Sequence, residues 1–175
     1  MNKTVHFGQV IVADLPVRAD LRGARTLLYS DEEFAEIFDG FVMKEQRVYH
    51  IAKKGTFFGI HYQDSALPQA KLVTVIKGSG IDYVIDMRPD SETYRQWKAI
   101  ELPARKNRFV YVPAGFGHAF LATEDHTIQC FALNEHNDNA LLRTIHYQDP
   151  GIGLELPMEV TVISDRDRTA PYWCW

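Results

Sequence analysis

The sequence contains few cysteines and no long apolar run. Only Cys130 and Cys174 occur among 175 residues, outside any C-x-x-C pair, so neither a zinc ribbon nor a thioredoxin motif is predicted. Cys130 lies in an apolar stretch, which favours a packing role over a nucleophilic one. No apolar run reaches the roughly 18 residues of a membrane-spanning helix, and the N-terminus lacks the features of a secretory signal. We therefore expect a cytoplasmic protein without membrane association.

The sequence also lacks the basic surplus that nucleic-acid-binding proteins usually carry. Nineteen Lys and Arg residues stand against 23 Asp and Glu, a net charge of −4, so nucleic acid is not a predicted partner. The nearest basic cluster, residues 105–108, is interpreted as a solvated loop, with a pocket for a small anion as the alternative. The hydrophobic content of 46% and the length are typical of one globular domain, residues 1–175.

Most of the chain is predicted to form short β-strands, because Val, Ile, Phe, Tyr and Thr are concentrated in short segments separated by turns. The glycines of 77–80 give the clearest hairpin signal. The predicted strands are 5–12, 41–51, 55–62, 70–76, 81–87, 94–102, 108–112, 118–123, 126–133 and 159–163.

One helix is predicted after Ser30, where residues 30–33 have the S-x-x-E form of a capping box. Phe34, Ile37 and Phe38 then share one helical face, and Gly40 is expected to end the helix. Many short strands with a single helix predict a mainly β protein, a sandwich or a barrel.

Two of the seven histidines stand in unusual surroundings. His118 ends the string Pro113–His118, which has the P-x-G-x-x-H form of the second cupin motif and resembles that superfamily. The first cupin motif is depleted, because His61 is followed two residues later by Gln63 instead of histidine. A metal site needs three or four converging ligands. We therefore predict no metal, and a metal-dependent cupin enzyme is kept as an alternative.

A longer series of motifs resembles the dTDP-4-dehydrorhamnose 3,5-epimerase family in order and spacing, from 20–23 near the start to the C-terminal region. The segments that carry the resemblance are 20–23, 59–63, 69–73, 82–88, 91–97, 113–120, 149–150, 153–157 and 163–167.

The resemblance implies a double-stranded β-helix, the jelly-roll of the cupins, with one or a few short helices. It also implies a homodimer that uses neither a metal nor a nicotinamide cofactor. The implied substrate is a nucleotide-diphosphate-linked 4-keto-6-deoxy sugar. Its ketone acidifies the C3 and C5 protons, so a base can form an enolate, and protonation from the other face inverts the carbon.

The same resemblance implies three catalytic residues. His61 matches the family's base. Histidine suits this role because a base for this step should titrate near neutral pH. Asp167 matches the carboxylate that orients the base, and Lys71 matches the cation that stabilises the enolate. Each has an ordinary alternative: a core histidine, a helix or loop cap, and a surface lysine. Because all three residues occur in register with the family's motifs, a functional role is favoured over these alternatives.

Further residues match substrate contacts of the family. Arg22 is the best candidate for a phosphate contact, and Gln46 matches a glutamine that contacts substrate. Asp82 is expected to pair with Lys71. The remaining predicted pocket residues are Gln63, His118, Phe58 and Phe131.

Two positions depart from the family pattern. Phe131 stands where the family has a tyrosine acid, and phenylalanine cannot donate a proton. Phe58 stands where the family has an arginine that contacts the diphosphate. His126 and His136 are candidate replacements for the acid, although an exposed hairpin is the simpler explanation for both. Arg25 is a candidate for restoring the charge.

These departures leave several hypotheses open. An unassigned group or water protonates the enolate, or the enzyme inverts only C3 or only C5. The alternatives are another enolising keto-sugar isomerase of the same fold and a sugar-nucleotide binding module that has lost catalysis.

Overall fold

Fourteen strands, two short α-helices and one 3₁₀ turn make up a computed structural model, which describes residues 1–63 and 66–173. The first half of the chain contains β1 (Asn2–His6), β2 (Val10–Asp14), β3 (Val17–Asp20), β4 (Gly23–Thr26), α1 (Asp31–Ile37), β5 (Glu45–Ile51), β6 (Thr56–Gln63), β7 (Lys71–Lys77) and β8 (Ser79–Asp86). The second half contains β9 (Trp97–Pro103), the 3₁₀ turn (Ala104–Lys106), β10 (Arg108–Val112), β11 (Phe116–Ala122), β12 (Thr127–Leu133), β13 (Leu142–Ile145), β14 (Val162–Ile163) and α2 (Asp165–Arg168).

Two six-stranded sheets pack face to face in a jelly-roll. The first sheet has the order β1-β2-β10-β7-β12-β5, and the second has β13-β6-β11-β8-β9 with β14 alongside β6. An inner cluster joins the two sheets: Val73 and Val110 come from the first, and Val84 and Phe120 come from the second. The jelly-roll prediction is thereby confirmed.

The outer face of the first sheet is covered by α1. Phe34 and Phe38 are fully buried and pack with Phe109 and Tyr111 of β10. The helix therefore forms where its apolar spacing predicted it. Ser30 is the N-cap residue, but its side chain makes no capping hydrogen bond, so the predicted capping box is not formed.

Two predicted elements differ from the structure. The segment 5–12 is not one strand, because Phe7 and Gly8 have positive φ values of 50° and 72° and turn the chain between β1 and β2. Gly78 has the expected positive φ of 75°, but 77–80 is not a hairpin. It carries the chain from one sheet to the other, since β7 and β8 belong to different sheets.

Other elements were missed. Strands β3, β4 and β13 and helix α2 were not predicted, because each has only four residues and shows no clear periodicity. Within 1–63 and 66–173, no helix has the length and apolar character needed to cross a membrane.

A buried carboxylate fixes the long connection after β8. Asp86 has no exposed side-chain surface and accepts hydrogen bonds from Arg88 Nη2 at 2.6 Å, Ser91 Oγ at 2.7 Å and Thr93 Oγ1 at 2.6 Å. Burial raises the pKa of Asp86, but these hydrogen bonds outweigh it and lower the pKa to about 2.

The Asp86 network should make folding stability sensitive to acid. Because the folded-state pKa is depressed, its contribution is present above pH 4 and is lost as the pH falls toward 2. We expect the wild type to lose about 2 kcal/mol more unfolding free energy than Asp86→Asn over that interval, as measured by urea denaturation. Asp90→Asn, at an exposed position, is the control. Equal losses in wild type and Asp86→Asn would contradict the assignment.

Candidate active site

A β-bulge in β6 shapes the inner wall of the site. His118 of β11 lies opposite His61, and Phe120 opposite Phe58, so three residue steps on β6 face two on β11. The extra residue lets both Phe58 and His61 face the space between the sheets. Phe58 packs against the inner cluster, and His61 lies beside inward-facing His118.

His61 and Asp167 form a hydrogen-bonded pair across this bulge. His61 Nε2 lies 2.6 Å from Asp167 Oδ1, and the Gly59 N–H donates to Asp167 Oδ2 at 3.0 Å. Asp167 is presented by α2, where its own N–H donates to Ser164 Oγ at 3.1 Å. The His61 side chain is 25% exposed and that of Asp167 only 5%, so the histidine is the member of the pair that meets solvent.

The electrostatics of the pair favour the ionised form of the Asp167 carboxylate. Burial raises the pKa of Asp167, but its bonds with His61, Gly59 and Ser164 outweigh this effect and lower it overall. A carboxylate on Nε2 favours the tautomer with the proton on that nitrogen, which leaves the Nδ1 lone pair of His61 free to accept a proton. A cavity of about 390 Å³, also lined by Phe58 and Arg166, opens beside the pair.

Lys71 lies on the facing sheet at the start of β7. It is 4% exposed, and its Nζ donates to the main-chain oxygen of His61 at 2.9 Å. Burial lowers the pKa of Lys71 to about 8, and the charge of Asp82 opposes that shift. Asp82, the predicted partner of Lys71, acts on it through its charge, while its hydrogen bond goes to His118, with 2.6 Å between Oδ1 and Nε2. The site therefore holds two carboxylate–histidine pairs and one buried amine.

Aromatic side chains line the space between these groups. The Phe131 ring stacks on His118 at 5.8 Å and lies 5.9 Å from Lys71 Nζ. Tyr49 packs edge-on against both Phe131, at 6.3 Å, and Phe58, at 5.2 Å. Phe58 and Phe131, the two positions that depart from the family pattern, thus lie close together with Tyr49 between them.

Tyr49 and Arg47 were missed in the sequence, which pointed to Gln46 instead. Gln46 pairs across the strands with Ala132, a residue of the outer cluster, so Gln46 faces away from His61. Because side chains alternate along β5, Gln46 lies on the opposite face of the strand from Arg47 and Tyr49, and its contact with substrate stays a prediction. That alternation turns Arg47 and Tyr49 inward, and it was the signal that could have found them.

Two other predicted pocket residues, Gln63 and Arg22, lie outside the group of side chains around His61 and Lys71. Gln63 uses its amide in loop contacts, donating to the Leu67 oxygen at 2.9 Å and accepting from the Asp138 N–H at 3.2 Å. Arg22 lies on the β3–β4 hairpin, which pairs with no other strand, and its side chain is 90% exposed and bonded to Asp20.

The candidate replacements are also outside the site. His126 and His136 are exposed, and Arg25 is exposed on the same hairpin as Arg22. Cys130 is buried at 4% exposure, as its apolar surroundings predicted, while Cys174 lies outside the described residues. Within the part of the chain that the structure describes, no three or more His, Cys, Asp or Glu side chains are grouped to hold a metal ion.

A jelly-roll that brings together an imidazole, a carboxylate and a buried amine defines a cupin-fold protein with a group of titratable side chains in its interior. The family model described as dTDP-4-dehydrorhamnose 3,5-epimerase matches residues 4–174. The chain belongs to this family, so the predicted isomerase class, a carbohydrate epimerase, is confirmed at the level of the family.

Two curated relatives show the similarity in sequence. The dTDP-4-dehydrorhamnose 3-epimerase of Streptomyces niveus is 33% identical over 153 residues, covering 87% of this chain and 74% of the relative. The dTDP-4-dehydrorhamnose 3,5-epimerase of Methanothermobacter thermautotrophicus is 32% identical over 168 residues, covering 87% of this chain and 90% of the relative.

Solved structures show the same similarity in three dimensions. NovW, a 4-keto-6-deoxy sugar epimerase from the novobiocin gene cluster of Streptomyces spheroides, superposes with a TM-score of 0.90 at 29% identity, covering 97% of this chain and 85% of NovW. ChmJ, a 3′-monoepimerase from Streptomyces bikiniensis in complex with dTDP-quinovose, superposes with a TM-score of 0.86 at 28% identity, covering 94% of this chain and 83% of ChmJ.

The close approach at Gly59 gives a test of how the pair is held. A Cβ at Gly59 would lie 2.9 Å from Asp167 Cγ, so Gly59→Ala should displace the carboxylate. We expect a crystal structure of the variant to show the His61–Asp167 hydrogen bond broken, and urea denaturation to show a loss of roughly 1–3 kcal/mol. An unchanged 2.6 Å contact would mean that Gly59 is not what admits Asp167.

Proposed function

We propose that the protein epimerises a dTDP-linked 4-keto-6-deoxy sugar at C3, at C5 or at both, with His61 as the base. The observation that carries the proposal is the 2.6 Å contact between His61 and the buried Asp167, which gives a partly exposed imidazole an anionic partner. The names of the relatives, 3- and 3,5-epimerases of dTDP sugars, support the substrate class.

The proposed reaction begins when His61 Nδ1 removes a proton from the carbon beside the C4 ketone. Asp167 stabilises the imidazolium that forms, because its lowered pKa keeps it ionised at neutral pH. Electrons from the broken C–H bond move to the C4 oxygen and form an enolate. A positioned general base of this kind contributes about 10²- to 10⁴-fold to the rate.

Lys71 is placed to stabilise the enolate. With a pKa of about 8, most of the amine is protonated at neutral pH, and burial strengthens its attraction to a developing oxyanion. Asp82 and His118 stand beside it as a second hydrogen-bonded pair, which orients the imidazole that Phe131 covers.

Phe131 lacks the hydroxyl that the family has at this position, and this difference motivates the form of the proposal in which only C3 or only C5 is inverted. It also motivates the second candidate function, a binding module that recognises the sugar nucleotide without turning it over. The His61–Asp167 pair argues for catalysis, since binding alone does not require a base held by a buried carboxylate.

Replacing the base tests the proposal directly. His61→Asn can still bond to Asp167 but cannot accept a proton, so we expect epimerisation of dTDP-4-keto-6-deoxyglucose, followed by NMR, to fall by about 100-fold or more. His126→Asn, at an exposed position, should keep wild-type activity. Full activity in His61→Asn would disprove the mechanism. Binding of the nucleotide sugar by the wild type without any turnover would favour the binding module.

A homodimer is part of the proposal because the Arg22 side chain is exposed and bonded to Asp20, not to the His61 site of its own chain. The hairpin that carries it is exposed along both strands and forms a separate two-stranded sheet. In the proposed dimer, this hairpin brings the guanidinium to the diphosphate bound in the site of the second copy.

Mixing two variants tests this arrangement: Arg22→Ala, which is expected to lose activity with the phosphate contact, and His61→Asn. In a mixed dimer of Arg22→Ala and His61→Asn, one site carries both changes and the other carries neither. We therefore expect activity to return when the two variants are refolded together, to about a quarter of the wild-type value if the chains pair at random. No recovery, although sedimentation shows mixed dimers, would place Arg22 outside the partner's site.

A further inference from the structure

We propose that Tyr49 donates the proton that completes inversion, from the side of the sugar opposite to His61. This inference rests on the proposed function. It names the group that takes the place of a hydroxyl at Phe131.

Tyr49 is singled out among the eight tyrosines of the chain, all of which lie in the described residues. It is the tyrosine that packs against the inner cluster. Tyr29 and Tyr111 belong to the cluster under α1, and Tyr62, Tyr83 and Tyr147 belong to the cluster outside the second sheet. The others lie near the C-terminal segment: Trp173 Nε1 donates to the Tyr94 hydroxyl, and Tyr172 packs on His146.

The two sheets place Tyr49 and His61 on opposite walls. His61 is on β6 of the second sheet, and Tyr49 is on β5 of the first. Inversion requires removal of a proton from one face of a carbon and delivery to the other. A sugar ring held between the walls would present one face to the imidazole and the other to the phenol.

The contacts of Tyr49 keep its ring within the site. The ring is held edge-on between Phe58 and Phe131, the two positions where the chain departs from its family. On the same face of the first sheet, Tyr49 pairs directly with Gln129 of β12. The buried amide nitrogen of Gln129 has no hydrogen-bond partner among the described residues. Among the described residues, the amide hydrogens of Gln129 beside Tyr49 are therefore not used by protein groups.

Arg47 gives Tyr49 a cation that would stabilise a tyrosinate. Burial lowers the pKa of Arg47, but hydrogen bonding and charge interactions with Glu45 and Tyr49 outweigh it and raise the pKa overall. Arg47 and Tyr49 are two residues apart on β5 and face the same way. A guanidinium next to a phenol favours the anion that remains after proton donation.

Lys71 is the competing donor on the same sheet. Its Nζ is already bonded to the main-chain oxygen of His61 and is nearly buried behind the Phe131 ring. That position suits a charge that stabilises the C4 oxygen. The partly exposed ring of Tyr49 lies nearer to solvent, from which a donor must be reprotonated in every turnover.

The proton balance of the step is complete. His61 takes the C–H proton and becomes imidazolium, while the electron pair moves to the C4 oxygen. As the carbonyl re-forms, the carbon takes the phenolic proton on its other face, and Tyr49 becomes a tyrosinate. The imidazolium then loses its proton to water, and the tyrosinate takes one from water.

Deuterium uptake separates proton removal from proton return. Wild type, Tyr49→Phe and Tyr111→Phe are incubated with dTDP-4-keto-6-deoxyglucose in D₂O, and NMR follows exchange and configuration at C3 and C5. Tyr111, on the outer face of the first sheet, is the matched control. We expect Tyr49→Phe to invert the carbon at least about 100-fold more slowly than wild type, while its exchange with retention stays within about fivefold of the wild-type exchange rate, because His61 can return a deuteron to the same face.

Inversion by Tyr49→Phe at the wild-type rate would overturn the assignment and leave Lys71 or water as the donor. Loss of exchange together with inversion would also overturn it, since it would show a structural role for the ring. A wild type that exchanges neither carbon would instead disprove the proposed function itself. Under the assignment, the double variant Tyr49→Phe, Phe131→Tyr should regain inversion, because the hydroxyl returns to the neighbouring strand.

Discussion

The site depends on the hydrogen bonds by which Asp167 joins α2 to the bulge of β6. The carboxylate contacts both His61 and the Gly59 N–H, and it reaches them because Gly59 has no side chain in the way. A residue near the C-terminus thus sets the orientation and charge partner of a histidine in the first half of the chain. Burial of the carboxylate is offset by these bonds, which keep it ionised.

Much of the architecture follows from local patterns. Strand-forming residues in short segments predicted a mainly β protein, and the Phe34 to Phe38 spacing predicted the helix that covers the first sheet. Elements of four residues were missed because they carry too few side chains to show a period. The turn at 77–80 was recognised from its glycines, but the sheet that each flanking strand joins is set by long-range packing and leaves no local signal.

Site residues could be predicted where the order of motifs along the chain identifies them. They could not be predicted where the direction of a side chain depends on the register of its strand. Asp167 is 106 residues from His61 in the chain, yet the structure brings it together with His61 and Lys71, as their order in the family implied. Gln46 faces away from His61, because a shift of one residue reverses the direction of a side chain on a strand. Tyr49 and Arg47 were missed for the same reason. In the sequence, Phe58 and Phe131 therefore looked like losses. The structure shows the Tyr49 ring between them and Arg47 paired across the strands with Phe131.

Every role proposed for the site follows from the removal of a proton from carbon next to a ketone. Incubation of the unmodified protein with dTDP-4-keto-6-deoxyglucose in D₂O, with NMR of the C3 and C5 signals, measures this step without any substitution. We expect deuterium to appear at one or both carbons together with inversion of configuration. Protons that remain at both carbons at high protein concentration, with the nucleotide sugar shown to be bound, would mean that the site does not remove them.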